Sequence, residues 1–143
     1  MLHGRWLLAK ELQAALEKPA PEFQRTVALE SEFVEAVSRA GAARAIEEYK
    51  GKDLPRSQRL SEVFLNSLGY RLLGGGKTAD AVAVFKFNTE LYPGSWNTYD
   101  SLAEAYVAAG EKALAIENYR RAVALNPRDA GAAEAVKRLQ SSR

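Results

Sequence analysis

Nine residues of this chain are followed, each 34 positions later, by a counterpart. Leu68, Gly69, Leu72, Gly76, Ala81, Phe85, Asn88, Leu91 and Pro93 pair with Leu102, Ala103, Tyr106, Gly110, Ala115, Tyr119, Ala122, Leu125 and Pro127. Eight of the nine pairs keep the residue or its size and polarity class; only Asn88 against Ala122 does not. Within each copy the apolar and small residues fall three and four apart, which places them on one helical face. A Gly divides each copy where a chain leaving a helix needs positive φ, and a Pro closes it. The unit is a helix, a tight turn, a second helix and a stop. Units of this kind cannot bury their apolar faces alone, so they stack.

The rest of the chain is organised around this pair. Residues 4–17 read as an amphipathic helix with Leu8, Leu12, Ala15 and Leu16 on one stripe, flanked by Trp6 and Leu7. Lys18-Pro19-Ala20-Pro21 breaks it. A second helical region runs from Pro21 to Ala40, carrying Phe23, Val27, Phe33, Val34 and Val37, and Gly41 separates it from a helix over 42–50. Ala45-Ile46-Glu47-Glu48-Tyr49 matches Ala115-Ile116-Glu117-Asn118-Tyr119 at four of five places. Residues 31–50 therefore read as a degenerate copy of the unit, and the polar stretch 51–57 breaks the register. The expected helices downstream are 59–73, 78–91, 96–109 and 112–125, with Asp129 capping a last one over 130–140. The segments are thus 1–20, an N-terminal helix; 21–57, the degenerate pair; 62–95 and 96–129, the two repeats; and 130–143, a polar capping helix.

The spacing of small residues, aromatic and proline resembles the tetratricopeptide repeat. Leu65 and Tyr99 stand where that family has Trp, and Asn88 where it has Ala, a change expected to loosen packing between neighbouring helices. The resemblance implies an all-α fold, a short α-solenoid of antiparallel helix pairs coiled into a superhelix, acting as a protein- or peptide-binding scaffold. The wording of residues 87–129, with Asn66-Ser67-Leu68-Gly69-Tyr70 and the upstream Ala-Ile-x-x-Tyr, further resembles the C-terminal repeat tail of some bacterial serine hydrolases related to β-lactamases. The alternative function is accordingly a non-catalytic tail or remnant of such an enzyme.

Composition excludes little. The chain is 47% hydrophobic and 27% charged, as globular chains are, and its net charge of +2 does not argue for nucleic acid. There is no cysteine, and the single histidine is His3, so neither a thiolate zinc site nor a Ser–His pair on the repeats can be built. No Gly-x-Ser-x-Gly or Ser-x-x-Lys occurs. Gly74-Gly75-Gly76-Lys77-Thr78 imitates the end of a phosphate loop, but Arg71 stands where its first Gly belongs, and in repeat register these glycines are a turn. The expectation is a non-enzyme without cofactor or metal. No apolar run has the length of a secretory signal or a membrane span, so the expected setting is cytoplasmic, without membrane contact.

In tetratricopeptide proteins the first helix of each pair lines a concave face. That resemblance puts rungs 34 residues apart on the face, and the candidate binding residues are Asn66, Tyr70, Asn97, Asp100, Glu104, Glu134 and Arg138. Some family members grip a peptide's terminal carboxylate there with Lys, Asn and Arg. Asp100, Glu104 and Glu134 would repel such a ligand. The expected partner is a basic or polar segment of another protein, or the chain's own first helix. The terminal helices cover the ends of the stack within one chain or between two, giving a monomer or a homodimer.

Overall fold

The computed structural model describes residues 21–142 together with Lys10 and Ala14. The expected N-terminal helix over 4–17 lies outside the described residues, apart from those two. Seven α-helices follow in order: α1 (Pro21–Ala40), α2 (Ala42–Lys50), α3 (Glu62–Gly74), α4 (Thr78–Leu91), α5 (Trp96–Ala108), α6 (Lys112–Leu125) and α7 (Ala130–Ser141), with a 3-10 turn at Arg56–Gln58 before α3. There is no strand among the described residues. No helix there is long and apolar enough to cross a membrane.

The 34-residue period extends to the backbone. At the end of α3, Gly75, Gly76 and Lys77 donate to the carbonyls of Arg71, Leu73 and Leu72; Ala109, Gly110 and Glu111 donate to Ala105, Val107 and Tyr106 in the same pattern. Gly76 and Gly110 sit at φ +76° and +77°, the left-handed conformation that Gly adopts without a Cβ penalty. The second helices end alike: Tyr92 N–H donates to Asn88 and Asn126 N–H to Ala122. These glycines are the turn expected of them.

Burial follows the sequence pattern. Leu68, Gly69, Leu72, Ala81, Phe85, Leu102, Ala103, Ala115, Tyr119 and Ala122 are buried, and the core runs on through Leu65, Val84 and Phe87 to Phe33, Ala45 and Tyr49 of the first pair. Gly69 is required by a close approach: a Cβ there would lie 2.4 Å from the Phe85 ring.

Three expectations are corrected. The helix expected from residue 59 starts at Glu62, because the Ser61 hydroxyl accepts the Phe64 N–H and caps it while Pro55 begins a separate 3-10 turn. Asn88 is a fully buried tie: its side-chain amide donates to the Glu62 carbonyl at 3.1 Å, linking α4 to α3, while its Oδ1 is buried without a hydrogen-bond partner. The upstream pair stacks differently from the two repeats. In those, α4 packs on α5 and α6 on α7, whereas α2 packs on α4. Asp80 of α4 caps α2 by accepting the Ala42 N–H at 2.9 Å, and Phe87 of α4 meets Phe33 and Tyr49. The stretch between the pairs lets this happen, since it is longer than the turns inside the repeats.

Candidate functional site

The first helices α3 and α5 lie side by side, and their facing side chains form a hydrogen-bonded chain. The Tyr70 hydroxyl donates to Ser101 Oγ at 3.1 Å, and Ser101 Oγ donates to Asn66 Oδ1 at 2.7 Å. Ser101 is only 1% exposed, so the bonds lie where water does not compete. Phe85 fixes the Tyr70 ring from beneath, edge to face at 5.0 Å. The ring stands at the surface with its hydroxyl pinned.

Beside this chain lie carboxylates. Asp100 immediately precedes Ser101 on α5, and Glu104 is one turn further on. Burial, then the charges of Asp129 and Glu104, push the Asp100 carboxyl up from its ordinary 3.8 to about 6. Burial also pushes the Tyr70 hydroxyl to about 12; the Ser101 hydrogen bond pulls the other way, and Glu104 and Asp100 add to the rise. Tyr119 of α6 belongs to the same group. Burial raises it to about 12, Glu104, Asp100 and Tyr70 act in the same direction, and Arg138 of α7 opposes them. Asp129 closes the site: one oxygen accepts the Ala132 N–H to cap α7, and the other is buried without a partner. The site is thus a shallow, half-desolvated patch of carboxylates and phenols, with Arg138 as the cation that bears on Tyr119.

Of the seven expected residues, Asn66, Tyr70, Asp100, Glu104 and Arg138 come together. Asn97 is half-buried and Glu134 exposed, and neither joins the hydrogen-bonded chain. The sequence reading missed Ser101, Tyr119 and Asp129. Tyr119 occupies the packing position that Phe85 holds in the first copy, so its extra hydroxyl was the available signal. Among the described residues no three His, Asp or Glu side chains form a group able to hold a metal ion. Two basic residues elsewhere lie over aromatic rings: Arg121 over Tyr99 at 5.1 Å, and Lys50 over Phe87 at 5.5 Å.

No protein-family model matches the chain, and no curated protein matches it at a significant level.

Proposed function

We propose that this chain is a non-catalytic interaction module of the tetratricopeptide type, and that the patch on α3, α5 and α6 binds a basic segment of another protein. One observation carries the reading. Asp100 is half-buried one turn from Glu104 and near Asp129, where burial and like charge disfavour its ionisation, beside the Tyr70 and Tyr119 phenols. A Lys or Arg side chain placed there would offset that repulsion and could rest its stem on the Tyr70 ring. An acidic peptide tail would add to the repulsion.

Isothermal titration with a lysine-rich peptide and with an acidic C-terminal peptide tests the reading. We expect heat only from the basic peptide, and a loss of about tenfold in affinity for Glu104→Gln, a difference of about 1.4 kcal/mol. Tight binding of the acidic peptide, or unchanged binding of the basic one by Glu104→Gln, overturns it.

A further inference from the structure

The core changes character after α5. Up to α4 it is built on large side chains, among them Phe33, Tyr49, Leu65, Val84, Phe85 and Phe87. In α6 and α7 the buried side chains are Tyr119 and four alanines, Ala115, Ala122, Ala132 and Ala135. Repeat register shows what has been exchanged. Val84 and Phe87, buried in α4, correspond to Asn118 and Arg121 in α6. Asn118 turns back to its own helix, donating to the Leu114 carbonyl at 2.8 Å, and Arg121 is exposed. Burial stabilises in proportion to the apolar area removed from water, so α6 and α7 are held less firmly than α3 and α4.

Polar ties differ in the same sense. Asp80 joins α4 to α2, Asn88 joins it to α3, and Ser101 joins α5 to Tyr70 and Asn66. Among the described residues no side-chain hydrogen bond or ion pair joins α6 or α7 to an earlier helix; Lys112 of α6 reaches the Ser142 carbonyl, just past α7. Charge works against closure too. Asp100 and Glu104 of α5 share their sign with Asp129 at the head of α7, whose Oδ2 is buried without a partner. Arg138 forms no ion pair with these carboxylates and bears on the Tyr119 hydroxyl instead. In a stacked array each unit touches only its neighbours, so an end unit can open while the rest stays folded.

We propose that α6 and α7 open together ahead of α3, α4 and α5, and that relief of the repulsion among Asp100, Glu104 and Asp129 closes them. A basic ligand at the patch supplies that relief, so the binding surface is completed by what it binds. Its apparent affinity falls by the fraction of molecules in which the unit is closed. The ligand's part in this rests on the binding reading above; the order of opening and its dependence on charge do not.

Native-state hydrogen exchange of the full chain at pH 7.5, in rising urea below the unfolding midpoint, tests this. Amides of Tyr119, Ala122 and Ala135 should exchange through one shared opening, at least about tenfold more populated than the opening that exposes Leu68 and Phe85. Asp100→Asn should slow the α6 and α7 amides several-fold and leave Leu68 and Phe85 unchanged. Glu104→Gln, at an exposed position, should act in the same direction and guards against a packing defect in Asp100→Asn. A saturating lysine-rich peptide should slow the same amides. Slowing by the variants but not by the peptide upholds the charge-dependent opening and removes the binding reading. Exchange of α6 and α7 only together with α3 and α4 overturns the proposal, as does fraying of α7 alone. Unchanged exchange in both variants also overturns it.

Discussion

At the scale of single residues, the structure shows where one atom decides the packing. Gly69 lets Phe85 lie against the α3 backbone, and the fully buried ring has no room to retreat from a methyl group. We expect Gly69→Ala to destabilise by about 1–3 kcal/mol, the usual cost of overpacking, read as a lower urea midpoint. The second copy has Ala103 at that place, so the two units differ there in how closely the helices approach. Asp100 gives a prediction of opposite sign. Its folded carboxyl holds a proton up to about pH 6, whereas the unfolded chain releases it near 3.8. Between these values the folded state binds more protons, so this residue makes stability fall as pH rises, and above pH 6 its full cost is present. Asp100→Asn should therefore raise the urea midpoint at pH 7.5 more than at pH 4.5. Binding of a basic peptide needs the ionised form and should weaken as pH drops through 6; equal affinity at pH 5 and 7.5 would exclude Asp100 from the contact.

Elements were legible where a residue type dictated their ends. Gly41, Gly76 and Gly110 mark three turns, and all three take positive φ. The helices 42–50, 78–91 and 112–125 coincide with those read from the sequence. The start of α3 was not legible, because Leu60 continues an apolar pattern while its backbone is outside the helix. Nor was the cap on α2, which comes from Asp80, 38 residues away. A helix N-terminus completed by another element couples the two. Asp80→Ala should cost about 1 kcal/mol and speed amide exchange at Ala42 before it affects α5 or α6. Uniform loss across all helices would show that the cap is not local.

For the whole molecule, the period located the core, since stacking turns one residue's position into a row. What it did not disclose is how neighbouring rows interlock. Ser101 reads as a small packing residue, yet its hydroxyl joins Tyr70 to Asn66. Asp129 reads as a cap, and it is one, but its charge also bears on Asp100. Such double roles depend on side-chain rotamers across a helix boundary, which a one-dimensional pattern does not encode. The upstream pair escaped the pattern for a related reason: its stacking on α4 is set by Phe33, Tyr49 and Phe87, three rings that no fixed stride relates.

Leu60 bears a last consequence. Its N–H donates to the Tyr49 hydroxyl at 3.0 Å, and its carbonyl accepts from the Tyr92 hydroxyl at 2.6 Å, so phenols from α2 and from just beyond α4 hold the two peptide groups that flank this one residue. The loop 51–58 just ahead of it is mostly exposed, whereas α3 begins two residues after it. Two glycines inserted between Asp53 and Leu54 should shift the urea midpoint little, because lengthening a surface loop costs only a few tenths of a kcal/mol. The same insertion between Leu60 and Ser61 should cut the midpoint sharply. In evolution, as in engineering, the exposed loop 51–58 is where the chain can change length without re-aiming the helices that follow this double grip.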